Sequence, residues 1–97
     1  MKTLHLSLKA KWYEMIERGE KKEEYREIKP YWIKRLGVEG RLIGFKNYDI
    51  VKFSFGYTRR IMLFEIKNIR RGVGKPEWGA PNYEVIIIEL GRKIDVL

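Results

Sequence analysis

The chain contains no cysteine, which excludes disulfides, thiolate nucleophiles and cysteine-ligated metals. Histidine occurs once, as His5, too few for an imidazole metal site, so neither a metal nor a cofactor is expected. Proline is scarce, and no repeat, low-complexity tract or linker-like stretch divides the sequence, so one domain over residues 1–97 is expected. Long apolar runs are missing as well: none approaches the ~20 residues that a membrane-crossing helix requires. The stretch from Met1 to Lys9 lacks the apolar block and small-residue cleavage site of a secretory signal, which points to a cytoplasmic protein without a membrane partner.

Positive charge is in excess. Lys and Arg number 21 against 13 Asp and Glu, a formal net charge of +8, which favours polyanionic partners such as RNA, DNA or phosphorylated ligands. The same excess also serves solubility alone. A hydrophobic content of 44% with 13% aromatics is enough for one modest core.

Periodicity places the elements. Leu4, Leu6 and Leu8 alternate with His5 and Ser7, the pattern of a strand with one buried face. "KAKWYEMIERG" follows, with Trp12, Met15 and Ile16 at helical spacing, Glu14 and Arg18 four apart, and Gly19 just past the end. A short helix packed by its Trp12/Ile16 side is predicted. Lys22 to Glu27 is too charged for a buried strand but fits a half-exposed one, with Lys22, Glu24 and Arg26 on one side. Pro30 then suits the first turn of a helix carrying Trp32, Ile33 and Leu36 as far as Gly37.

The remainder reads as β-rich. Asp49 to Phe55 alternates with Val51, Phe53 and Phe55 on one face, Gly56 to Arg60 is a turn, and Ile61 to Ile69 carries Met62, Phe64 and Ile66 inward. The β-branched run Val85 to Leu90 predicts a central strand covered on both faces, by helix on one and barrel interior on the other. Before it lies "RRGVGKPEWGAPN", a long glycine- and proline-rich connection of the kind that often carries function. The order strand, helix, strand, helix, several strands predicts an α+β domain with a small mixed β-barrel flanked by short helices.

The chemistry concentrates in "GEKKEEYR", Gly19 to Arg26. Glu24 and Arg26 are two apart on one strand, about 7 Å along it, and Lys21 leaves the preceding turn beside them. A carboxylate between an ammonium and a guanidinium orients its cationic neighbours or accepts a donor from a ligand; Arg26 suits a bidentate phosphate or base edge, and Lys21 a point charge. The competing reading is a charged edge strand that resists aggregation, its exposed ion pairs contributing only ~0.2–1 kcal/mol.

Read as G-x-K-x-x-E-x-R, after "LSLK" at Leu6 to Lys9 and a short helix, the stretch resembles the start of an ASCH domain, a branch of the PUA-like superfamily. "GKPEWG" followed by "YEVIIIELG" is similar to small bacterial and phage members, so the resemblance extends over nearly the whole chain. It implies a PUA-like β-barrel, a cleft lined by Lys9, Lys21, Glu24 and Arg26 with Ser7 nearby, and RNA or a nucleotide-like ligand as partner. Some small members of the superfamily hydrolyse acetylated cytidine with a lysine-activated threonine; at that position this chain has Glu24. The resemblance therefore leaves two further alternatives, a hydrolase acting on a modified nucleoside or RNA with Lys21 and Glu24 as acid/base groups, and a protein-interaction module.

Several residues outside the motif have two readings. Trp78 and Tyr57 stack on a base or, for Trp78, plug the open end of the barrel. Tyr31 is expected exposed beside the cleft and Trp32 in the core. Arg59 and Arg60, with Arg70 and Arg71 at the other end of the same strand and Lys75 beyond, track a phosphate backbone or serve solubility. His5 is read as a surface or structural residue. "GVGKP" lacks the spacing of a phosphate loop.

Overall fold

A computed structural model of the chain describes residues 2–95. In chain order it has β1 (Thr3–Leu8), α1 (Ala10–Glu17), β2 (Glu23–Arg26), α2 (Pro30–Leu36), β3 (Gly37–Val38), β4 (Arg41–Phe45), β5 (Ile50–Phe55), β6 (Ile61–Gly72) and β7 (Val85–Ile94), with one 3₁₀ turn at Pro76–Trp78. Five strands form one mixed sheet in the order β1-β5-β6-β7-β2, and β3 and β4 form a separate hairpin. β1 lies parallel to β5, pairing Leu4 with Val51 and Leu6 with Phe53, while the other neighbours are antiparallel.

The sheet curls into a half-barrel whose two edges, β1 and β2, face each other across an open seam. Arg26 of β2 bridges it, donating from Nη2 to the Ser7 carbonyl of β1 at 3.4 Å. The fold is thus α+β, a curled mixed sheet with two short helices, and the expected barrel stops short of closure between its edge strands.

Hydrophobic alternation explains the inner face. Leu4, Leu6, Leu8, Val51, Phe53, Met62, Phe64, Ile86, Ile88 and Leu90 share one core with Tyr13 and Ile16 of α1 and Leu36 of α2. Burying an aliphatic or aromatic side chain of this size contributes ~1.5–3 kcal/mol. α1 packs by Tyr13 and Ile16, whereas Trp12 is only half-buried, which corrects the expected Trp12/Ile16 face. Arg18 pairs with Glu20 at 3.0 Å instead of with Glu14, because the chain turns back directly after the helix.

The outer face of β7 also departs from expectation. Both helices sit on the main core, so Val85 and Ile87 are covered by Tyr25, Ala80 and the half-buried Trp78, that is, by β2 and the β6–β7 loop and not by a helix. The hairpin β3–β4 had no counterpart in the predicted elements. Its turn places Glu39 at φ 54° and Gly40 at φ 70°, and Glu39 is a residue type that gives little warning of a left-handed turn.

Candidate functional site

The motif is delivered by the end of α1. Gly19, at φ 80°, donates its N–H to the Ile16 carbonyl and Glu20 donates to that of Met15, a Schellman closure that turns the chain sharply into β2. β2 then pairs Glu24 with Ile88 and Arg26 with Ile86. Directly opposed residues share a face, so Glu24 and Arg26 point to the main-core side of the sheet. The half-exposed strand expected from its charge is therefore corrected: Glu24 is 6% exposed and Tyr25 is buried on the other face, leaving Lys22 in solvent.

Lys21 is 2% exposed. Its ammonium donates to the Trp78 carbonyl at 2.5 Å, lies 3.1 Å from Glu24 Oε1, and sits over the rings of Tyr25 (4.6 Å) and Trp12 (5.3 Å). Burial pushes its pKa below the usual lysine value, and the charge of Glu24 pulls the other way. The second oxygen of Glu24 accepts from Arg26 Nη1, which also donates to the Tyr25 carbonyl at 2.7 Å. Each oxygen of Glu24 thus faces one cation.

The β6–β7 loop forms the opposite wall. Besides the Lys21–Trp78 bond, the buried Tyr25 hydroxyl accepts the Lys75 N–H at 3.0 Å and donates to Glu23 at 2.8 Å, and Arg70 holds Glu23 at 3.0 Å. Burial pushes the Tyr25 phenol well up from its ordinary value. Tyr25→Phe should cost about 1–3 kcal/mol in urea unfolding, because it strips the Lys75 amide of its acceptor. A cost within experimental error would show that the loop is not held there.

Two hollows meet along the seam. The first, about 260 Å³, is lined by Ser7, Lys9, Trp12, Glu24, Arg26 and Trp78 among others. The second, about 440 Å³, is lined by His5, Tyr31, Trp32, Arg35, Lys52 and Tyr57 and shares Ser7 and Arg26 with the first. Two guanidiniums lie near the Trp32 ring, with Arg26 Cζ at 5.1 Å and Arg35 Cζ at 5.4 Å from its centroid. Arg35 donates to the His5 carbonyl at 2.6 Å, so the two arginines occupy carbonyls His5 and Ser7, two apart on the unpaired edge of β1.

The expected site residues divide accordingly. Ser7, Lys9, Glu24, Arg26, Tyr31 and Trp78 line the hollows, and Trp78 also packs on Tyr25 and Val85, so it serves as wall and as cover. Lys21 lines neither hollow and stands behind Glu24 as the residue that positions it, which is a geometric obstacle to acid/base work by this pair. Arg59 and Arg60 lie outside both hollows, and Arg60 instead pairs with Glu17 at 2.7 Å and covers Tyr13 and Phe55. Arg70 and Arg71 are likewise occupied, with Glu23 and with Glu84.

Arg35 and Lys52 were missed, and Trp12 was read as core. Arg35 follows Trp32 by three residues on α2, a helical neighbour, and that spacing was the available signal. Lys52 alternates with the inward Val51 and Phe53 and reads as ordinary solvated charge. Among the described residues no three or more His, Cys, Asp or Glu side chains cluster to hold a metal ion, and no helix is long and apolar enough to cross a membrane. Compared with family models, with curated proteins and with solved structures, the chain matches none.

Proposed function

We propose that this chain is a PUA-like domain of the ASCH type that binds RNA or a nucleotide-like ligand at the seam, in the cleft built around Glu24 and Arg26. The observation that carries the reading is the state of Arg26. Its Nη1 is spent on Glu24 and the Tyr25 carbonyl, whereas the Nε–Nη2 edge makes only the 3.4 Å bond from Nη2 to the Ser7 carbonyl among the described residues. Such an edge is the fork that takes phosphate by two parallel hydrogen bonds, and Arg26 lines both hollows. The motif residues pair with one another, as in a purely structural cluster, yet they do so beside a concave surface.

Electrostatics support the same reading. The formal charge of +8 draws polyanions to the chain, and the carboxylate in the cleft is offset by Lys21 and Arg26. Labelled single-stranded RNA titrated by fluorescence anisotropy at about 50 and about 200 mM salt should bind, and bind more weakly at the higher salt. Arg26→Ala should reduce affinity about tenfold or more, since hydrogen bonds to charged groups are worth ~1.5–3 kcal/mol. Absent binding at low salt, or an unchanged affinity in an Arg26→Ala variant that retains its circular dichroism, would sink the proposal.

A further inference from the structure

The second hollow is built more carefully than a solvated surface requires. Tyr57, at its rim, is fully exposed, with a relative accessibility of 102%, so packing does not account for its ring. Its turn is nevertheless pinned. The hydroxyls of Ser7 and Ser54 both donate to the Gly56 carbonyl at 3.0 Å, and Thr58 donates from its side chain to the Phe55 carbonyl at 2.6 Å. On the other rim Tyr31 is 64% exposed and set edge-on to Trp32 with ring centroids 4.8 Å apart. Trp32 in turn has the guanidiniums of Arg26 and Arg35 near its ring.

Two exposed phenol rings thus border a hollow lined by cations, one on a hydrogen-bonded turn and one packed on Trp32. The lining includes Arg26, Arg35 and Lys52 and no carboxylate. Aromatic faces beside a positively charged groove are what unstacked bases and their phosphates require, whereas a duplex keeps its base faces stacked away. The first hollow has a different character: about 260 Å³, walled by Trp12 and Trp78, it lies below the ~300–1,000 Å³ typical of small-molecule sites and suits a single flat group. Arg26 stands where the two meet.

We propose that the hollows are consecutive subsites for single-stranded RNA: one base enters the Trp12/Trp78 hollow, its neighbour rests on Tyr31 and Tyr57, and the phosphate between them sits on Arg26. This rests on the RNA reading above and deepens it, because it makes an oligonucleotide, not a free nucleotide, the preferred ligand. Arg35 and Lys52 then hold the phosphate that follows the second base.

The test compares mixed-sequence RNA tetranucleotides with 5′-mononucleotides by isothermal titration on wild type, Tyr57→Ala and Tyr31→Ala. Both tyrosines are exposed, so the variants are expected to fold as wild type does. The tetranucleotide should bind at least about tenfold more tightly than the mononucleotides, and each tyrosine variant should lose about tenfold for the tetranucleotide and nothing for the mononucleotides, from a stacking contribution of ordinary size. If the tetranucleotide binds no more tightly, or neither variant weakens it, the second subsite is overturned, while mononucleotide binding that depends on Arg26 keeps the cleft reading alive. If neither RNA ligand binds, the cleft reading and this inference fall together.

Discussion

Glu24→Ala should destabilise the protein by about 3–5 kcal/mol, the cost of leaving a buried charge without its partner. The relevant charge is the Lys21 ammonium, which is 2% exposed and would keep only the Trp78 carbonyl and the faces of Trp12 and Tyr25 as close protein partners. Arg26, with its side chain 15% exposed, has a route to solvent and contributes less to the loss. Urea unfolding is the measurement, and a small domain of this kind suits a two-state treatment. Removing both charges as Lys21→Met/Glu24→Leu should cost less than Glu24→Ala alone, since apolar groups of similar volume replace a buried pair with little penalty. If Glu24→Ala costs under about 1 kcal/mol, the pair behaves as an exposed surface bridge and the sealed geometry is wrong.

The sign of the pH dependence gives an independent check. Burial holds the Lys21 pKa below its unfolded value, and Glu24 opposes that fall. Without Glu24 the pKa falls further. A lysine whose folded pKa is depressed binds its proton more tightly when unfolded, so the penalty is complete below the folded pKa and is released as pH rises towards the unfolded value of about 10.4. The deficit of Glu24→Ala should therefore narrow from neutral to alkaline pH, and that of Lys21→Met/Glu24→Leu should not.

Burial of this kind is the part of the site that local sequence does not encode. Alternation in Leu4 to Leu8 announced β1, Gly19 announced the end of α1, and the two-residue spacing of Glu24 and Arg26 placed them on a common face, since each of these depends on neighbours in the chain. The identity of that face was misread because charge suggested solvent. What turns it inward is pairing with Ile86 and Ile88, some sixty residues away. Lys21 is sealed by a carbonyl at Trp78 and so resembles its exposed neighbour Lys22 in every local respect.

The seam shows the same division. β1 and β2 can each be found from its own pattern, but that they become facing edges follows only from the order of strands in the sheet. Arg35 and Lys52 line the second hollow because the Arg35 side chain reaches the His5 carbonyl on the free edge of β1 and β5 pairs with its other edge. Outside the Gly19–Arg26 motif, the second hollow draws residues from β1, α2, β5 and the turn that follows it, a set brought together by the fold and not by spacing in the chain.

The wall formed by the β6–β7 loop leads to the second large expected effect. Gly79 has φ 95°, and a Cβ there would stand 2.8 Å from Trp12 Cζ2. Gly79→Ala thus adds a left-handed backbone penalty of ~1–2 kcal/mol to an overpacking penalty of ~1–3 kcal/mol, about 2–5 kcal/mol in all. The loop has little freedom to relax, being tied at Trp78 by Lys21 and at Lys75 by Tyr25. Gly56 separates the two contributions: its φ is 56°, but an added Cβ would meet no atom within 4 Å, so Gly56→Ala should pay the backbone penalty alone. In thermal unfolding, where 1 kcal/mol corresponds to roughly 4–8 °C for a domain of this size, Gly79→Ala should melt well below Gly56→Ala. Trp12 and Trp78 line the same hollow, so displacing one against the other should also weaken the RNA binding proposed above. Equal melting temperatures for the two variants would mean that Trp12 yields freely, and a wall that yields freely cannot define a base-sized hollow.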